Sequence, residues 1–161
     1  MDRLMLALLL TFAGTSMGAA VVEPAEVALA RQDVVDEVVA FLGDYYRGFE
    51  LADLDRMEAG MSADFTATLV IPGRGDAPIH YDRAALLDGL RQAFAYYAGK
   101  RPRMEIRDVI VLPRSRDEAV AFFAMHFHQD GRFVDAALSI ADLRREDGRW
   151  KLSRLYENKR R

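Results

Sequence analysis

The sequence predicts an α+β fold: a curved, mainly antiparallel sheet wraps around a long N-terminal helix, with two further helices, as a cone-like barrel. Two observations carry this prediction. Apolar residues recur at helical spacings in the first part of the chain, and strand-like segments joined by tight turns fill the last part. Helices first and antiparallel strands later is the order of an α+β domain.

The helical segments are recognised by an apolar stripe and by capping residues. The first helix should run from Pro24, or from a possible internal start at Asp33, to about Leu51, with a stripe at Val35, Val38, Leu42, Tyr45 and Phe49. Asp53 can cap a short second helix, and Asp82 can cap a third helix with a stripe at Leu87, Leu90, Phe94 and Tyr97.

The strand segments are β-branched or apolar runs bounded by turn residues. They are predicted at 65–71, 79–81, 103–112, 118–129, 132–146 and 149–158. Asp130-Gly131 and Asp147-Gly148 separate the last three, and Asp-Gly between apolar runs is a strong hairpin signal.

Composition indicates one soluble globular domain. The chain has 161 residues, of which 51% are hydrophobic and 29% charged, and its net charge is −3. No concentrated basic face is evident, so we expect no nucleic-acid partner. The chain has no cysteine and therefore no disulfide.

The N-terminus has the layout of a secretory signal peptide. Arg3 precedes an apolar run that is too short to span a bilayer, and small residues follow up to Ala20. We therefore expect a signal peptide at 1–20, an N-terminal extension or the start of the first helix at 21–32, and the domain at 33–161. The mature protein should be exported, periplasmic or secreted, with no membrane attachment after cleavage.

Three segments resemble a known family. "YYRGFELADLDRMEAGMSADF" is similar to the first-helix region of the SnoaL-like, nuclear-transport-factor-2-like superfamily, "YDRAALLDGLRQAF" to its second helix, and "REDGRWKLSRLY" to its final hairpin. The resemblance covers 30–158 and implies a cone-like curved sheet with an apolar pocket, often in a dimer. Members include isomerases, dehydratases, epoxide hydrolases, polyketide cyclases, transport factors and small binding proteins, so function must be argued from the site.

The resemblance speaks against steroid isomerase activity. That chemistry needs a carboxylate base, with a Tyr and a protonated Asp that stabilise the enolate oxygen. The resemblance implies that Tyr45 occupies the position of the Tyr. The base position falls at about Leu69 and the second acid near 138–141, and both are apolar here.

The two histidines of the segment 118–129 are the main catalytic candidates. A two-residue turn at Asp130-Gly131 would set His126 opposite Asp135 and His128 opposite Phe133. Because side chains alternate across a strand, one face of this hairpin would be wholly apolar and the other would carry both histidines and Asp135. An Asp-oriented imidazole can act as a general base.

Three interpretations of this pair follow. In the preferred one, the apolar face lines the pocket, and His126 and Asp135 lie on the outer face, where such folds commonly dimerise. In the second, they face the cone and form an acid–base site with Tyr45. In the third, His126, His128 and Asp135 bind a metal. A register error of one residue would exchange the two faces.

The preferred function is binding of a small apolar molecule in the cone. The expected lining residues are Tyr45, Phe49, Phe65, Phe94, Phe123, Met125 and Phe127. One alternative is a cofactor-free lyase or isomerase that uses Tyr45, His126 and Asp135. The other is a structural or partner-binding homodimer with a filled pocket. No glycine-rich phosphate loop is present, and we expect no cofactor and no metal.

Overall fold

The computed structural model describes residues 25–71 and 77–160, and in this part of the chain it confirms the α+β prediction. The helices are α1 (Ala25–Glu50), α2 (Leu54–Ala59) and α3 (Arg83–Tyr97). The strands are β1 (Met61–Val70), β2 (Ile79–Asp82), β3 (Pro102–Pro113), β4 (Glu118–Gln129), β5 (Arg132–Glu146) and β6 (Arg149–Arg160). The expected signal peptide at 1–20 lies outside the described residues, and helix α1 already includes residues 25–32 of the predicted segment 21–32.

The six strands form one curved sheet in the order β2-β1-β6-β5-β4-β3. The β1–β6 pair is parallel and every other neighbouring pair is antiparallel, which confirms the prediction of a mainly antiparallel sheet. Strands β2 and β3 remain edges, so the sheet is unclosed. The expectation of a barrel is therefore corrected to an open, curved sheet whose concave face holds helix α1.

The predicted caps and turns are confirmed. The Asp53 carboxylate accepts a hydrogen bond from the Arg56 backbone N–H at 3.0 Å, and Asp82 accepts one from the Ala85 N–H at 2.8 Å. Both residues of each Asp-Gly turn have positive φ, between 50° and 78°, which is the conformation of a tight hairpin turn.

The core lies between helix α1 and the concave face of the sheet. Val38 and Leu42 on α1 are fully buried, and Val34 rather than Val35 begins the buried stripe. The Trp150 indole is buried and donates a hydrogen bond to Glu37 on α1 at 2.9 Å. Among the described residues, no helix is long and apolar enough to cross a membrane.

Helix α1 also protects one edge of the sheet. At its C-terminal end, a carboxylate oxygen of Glu50 accepts a hydrogen bond from the Met104 N–H on edge strand β3 at 2.7 Å. An edge strand presents unpaired backbone groups, and covering it with a helix is one way to satisfy them. This hydrogen bond ties the C-terminal end of helix α1 to the edge of the sheet.

Candidate ligand-binding site

A one-residue bulge changes which side chains enter the cone. His128 pairs with Phe133 as predicted, but Phe127 pairs with Asp135, which leaves Val134 without a partner. The prediction that His126 faces Asp135 is therefore wrong: His126 pairs with Ala136. Since one residue of slippage exchanges the faces of a strand, Asp135 lies on the concave face and His126 on the convex one.

A second bulge acts on β6 in the same way. Leu152 pairs with Leu143 and Arg154 with Asp142, so Ser153 is left over between them. The Ser153 hydroxyl donates to the Asp142 carbonyl oxygen at 3.1 Å and helps to satisfy the interrupted ladder. Beyond this bulge, Glu157 is 7% exposed and turns towards the cone.

The cone contains a cavity of about 310 Å³ between helices α1 and α3 and the concave face of the sheet. Its wall is mainly apolar, with polar groups at the end formed by β5 and β6. The lining residues are Tyr45, Tyr46, Phe49, Met57, Ala67, Leu69, Tyr81, Leu86, Gly89, Leu90, Ala93, Tyr97, Met104, Met125, Phe127, Asp135, Leu155, Glu157 and Lys159. A larger depression of about 550 Å³ beside α3 is more open and lined in large part by charged side chains.

Glu157 and Tyr46 form a buried hydrogen-bonded pair in this wall. The Tyr46 hydroxyl donates to Glu157 Oε1 at 3.1 Å. Burial raises the pKa of Glu157, and nearby Asp135 raises it further, whereas Lys159 and the Tyr46 hydroxyl act in the opposite direction. Burial and the Glu157 charge also raise the pKa of Tyr46. Both groups of the pair therefore have raised pKa values in an apolar surrounding.

Asp135 has an incomplete set of partners. Its Oδ2 lies 3.9 Å from the Lys159 ammonium, at the limit of an ion pair. Its Oδ1 is buried and accepts no hydrogen bond among the residues that the structure describes. Buried polar atoms of folded proteins usually have a partner, so an orphaned carboxylate oxygen at a cavity wall indicates where a ligand donor can bind.

Tyr45 lies in the wall but not in the polar group. Its ring meets that of Tyr46 edge to face, with the ring centroids 5.4 Å apart, and burial raises its pKa. An added Cβ at Gly60 would come within 2.8 Å of the Tyr45 ring, so glycine is required for this close approach. The structure therefore brings Tyr45 and Asp135 to the same cavity but leaves His126 on the other side of the sheet.

The expected lining residues divide into two groups. Tyr45, Phe49, Met125 and Phe127 line the cavity. Phe65 and Phe123 are buried in the core beside it, and Phe94 packs edge to face on Phe49. Sequence reasoning missed Tyr46, Glu157 and Lys159. Strict alternation from Leu152 puts Glu157 on the outer face, and only the bulge at Ser153 reverses this.

The convex face carries the two histidines together with Glu105 of β3. Glu105 is the pairing partner of His126, and its Oε2 lies 3.5 Å from His128 Nε2. The proposed metal set of His126, His128 and Asp135 is therefore wrong in its third member, because Asp135 projects from the other face. Glu105 takes that place.

A helix-filled curved sheet with an apolar cone defines a class of α+β domains, and comparison with known proteins identifies the family within it. The chain belongs to the SnoaL-like domain family, whose model matches residues 38–155. A comparison with curated proteins gives no match.

Solved structures share the fold at low sequence identity. A proposed scytalone dehydratase from Novosphingobium aromaticivorans is 12% identical, with a TM-score of 0.68 over 83% of this chain and 89% of that chain. LinA is 15% identical, with a TM-score of 0.65 over 83% and 90%. An NTF2-like protein of unknown function from Pseudomonas putida is 12% identical, with a TM-score of 0.67 over 79% and 87%. These structures thus share the fold of this SnoaL-like domain.

Proposed function

We propose that the domain binds a small, mainly apolar molecule that presents a hydroxyl or amino donor to Asp135. The observation that carries this proposal is the buried, unpartnered Asp135 Oδ1 in the wall of a largely apolar cavity. Ligand sites of proteins combine apolar walls with a few convergent polar groups in this manner. The volume of about 310 Å³ is at the low end for such sites and limits the ligand to a small molecule.

A matched pair of ligands tests this proposal: 1-naphthol and naphthalene differ only in the hydroxyl donor. We expect 1-naphthol to bind the full chain at least about tenfold more tightly, because each 1.4 kcal/mol of hydrogen bonding is a factor of ten. Asp135→Ala should remove this preference, and His126→Ala should keep it, as His126 lies on the convex face. Calorimetric titration of the three proteins with the two ligands measures all six affinities. Equal affinity for both ligands in the unmodified chain would refute the proposal.

A second candidate function is cofactor-free lyase or isomerase chemistry, favoured by the buried Glu157–Tyr46 pair. The raised pKa of Glu157 suits a group that exchanges a proton with a substrate near neutral pH. In this role the Glu157 carboxylate takes a proton from a carbon next to a carbonyl, and the Tyr46 hydroxyl orients the carboxylate. The fold neighbour described as a proposed scytalone dehydratase is consistent with such chemistry. Glu157 here replaces the sequence-based set of Tyr45, His126 and Asp135.

Proton exchange can be followed without knowing the natural substrate. Incubation with 1-tetralone in D₂O should incorporate deuterium next to the carbonyl faster than buffer does, as measured by NMR. Glu157→Gln should return the rate to that of buffer. If both versions of the protein match the buffer rate while 1-naphthol still binds, the domain is a binding protein and the lyase candidate is discarded.

We also propose that the convex face of β4 and β5 pairs with a second copy of the chain. Large apolar side chains are exposed there, namely Phe122, Phe133, Val134, Leu138 and Ile140. Contiguous exposed apolar surface is typical of an interface. Sedimentation analysis should give a dimer, and Leu138→Glu should give a monomer of unchanged fold. A monomeric unmodified chain at tens of micromolar would argue against the dimer.

The expected export of the mature chain stays a prediction, which mass spectrometry of the N-terminus of the secreted protein can test.

A further inference from the structure

The convex face carries a second cluster of polar side chains that the cavity does not use. Glu105 on β3 pairs directly with His126 on β4, and His128 projects from the same face two residues further on. One ligand atom from each of the three lies within 4.8 Å of the other two. Two imidazoles and a carboxylate that converge on one point are a donor set for a divalent transition-metal ion.

One histidine of this cluster, His128, lacks a hydrogen-bond partner. His128 Nε2 is buried and forms no hydrogen bond among the described residues, although Glu105 Oε2 is 3.5 Å away. Buried ring nitrogens usually find a partner, and a metal ion between the two groups would supply one. The Phe133 ring meets both imidazoles edge to face, at centroid distances of 5.5 Å for His126 and 5.7 Å for His128.

Arg107 orients the Glu105 carboxylate. A single nitrogen, Arg107 Nη2, donates to both Glu105 oxygens at 3.0 Å. A carboxylate offers about four lone-pair sites, so each oxygen retains one for another partner. An outer partner that orients a ligating carboxylate is a common feature of metal sites.

We propose that Glu105, His126 and His128 bind a divalent ion of the Zn²⁺ type on the convex face, with water completing the coordination. Ligand atoms of a tetrahedral zinc site lie roughly 3.3 Å apart, given metal–ligand distances of about 2.0–2.1 Å. The ligand atoms lie within 4.8 Å of one another, so they need to close by at most about 1.5 Å, which rotation about the side-chain bonds provides. The site is independent of the cavity, because the sheet separates the two.

The chain offers a matched control for the test. It has three histidines, and the third, His80, lies on β2 at the opposite edge of the sheet with its Nδ1 3.0 Å from the Thr68 hydroxyl. It has no cysteine, so thiolate ligands cannot contribute to metal binding. The full chain without an affinity tag is treated with a chelator, dialysed and titrated calorimetrically with ZnCl₂.

We expect one Zn²⁺ per chain. Affinity should fall at least about tenfold in each of Glu105→Gln, His126→Ala and His128→Ala, and should be unchanged in His80→Ala. The unmodified chain should also bind Co²⁺ with the visible absorption of a four-coordinate ion, a readout that depends on no variant. Absence of saturable Zn²⁺ binding in the unmodified chain would overturn the proposal, as would an equal loss in His80→Ala.

Discussion

Two glutamates on opposite faces of the same sheet have opposite electrostatic environments. Glu157 on the concave face is buried in a mainly apolar wall, and this burial raises its pKa. Glu105 on the convex face is held by the Arg107 guanidinium, so its pKa is lowered. The same residue type thus has a raised pKa inside the cone and a lowered pKa outside it. Chemistry in this domain depends on which face a strand residue occupies.

The prediction with the largest expected effect compares two leucines of β5 that lie on opposite faces of the sheet. Leu143 on the concave face is 2% exposed, whereas Leu138 on the convex face is 46% exposed. Leu143→Ala should lower the free energy of unfolding by about 2–5 kcal/mol, because it leaves a cavity in the core. Leu138→Ala should lower it by less than about 1 kcal/mol, because water already reaches that side chain.

Urea unfolding followed by circular dichroism measures both values. The experiment is done at submicromolar protein, so that association through the convex face does not add to stability. Equal losses in the two variants would mean that both faces of β5 are buried in the isolated chain, and the assignment of concave and convex faces would have to be abandoned.

The second test compares the two glutamates through the pH dependence of stability. A raised carboxyl pKa means that the folded state holds the proton more tightly than the unfolded state does. The contribution of Glu157 to folding stability is therefore favourable at low pH. It is lost as the pH rises from the ordinary glutamate pKa through the raised pKa of Glu157. Each unit of the upward shift is worth about 1.4 kcal/mol above this range. Glu157→Gln should remove this loss, so the variant gains stability relative to the unmodified chain as pH rises.

Glu105→Gln should have the opposite sign. Because the pKa of Glu105 is lowered in the folded state, the ionised carboxylate stabilises the fold at pH values above the ordinary glutamate pKa. This contribution disappears as the pH falls through the lowered pKa. The effect should be small because the Glu105–Arg107 pair is solvent-screened. Metal-free unfolding curves at pH 4, 6 and 8 give both signs. Parallel pH profiles for the two variants would contradict the difference in environment.

The two bulges, at Val134 and Ser153, mark the boundary between what the sequence predicts and what it does not. The helices, the strands and both Asp-Gly turns were predictable, because periodicity, caps and turn chemistry are local properties. Strand β1 was predicted to begin at Phe65 but begins at Met61, where a register irregularity precedes its regular pairing with β6. The apolar side of β4 was also predictable from alternation.

The polar end of the cavity was not predictable, because it depends on two single residues that have no pairing partner. Val134 turns Asp135 inwards, and Ser153 does the same for Glu157. Neither position carries the glycine or proline that commonly signals an irregular strand. Both bulges are defined by the pairing of β5 with its two neighbours, which is a long-range property that a local pattern does not contain.

The prediction with the smallest expected effect on the free energy of unfolding compares the two adjacent tyrosines of α1. Tyr46 donates a hydrogen bond to Glu157, whereas none is found for the Tyr45 hydroxyl within the described ranges. Tyr46→Phe should therefore lower the free energy of unfolding by about 1 kcal/mol, and by about 1.5–3 kcal/mol once Glu157 is ionised. Tyr45→Phe should change it by less than about 0.5 kcal/mol.

Combining Tyr46→Phe with Glu157→Gln isolates the interaction between these two side chains. The coupling energy should increase with pH, because the Tyr46 hydroxyl stabilises the charged form of Glu157 more than the neutral form. Tyr45→Phe combined with Glu157→Gln serves as the control and should give additive losses. A pH-independent coupling for Tyr46 would mean that Glu157 does not ionise in the folded state over that range. The carboxyl would then act only as a proton donor in the cone, and proton abstraction by Glu157 would be excluded.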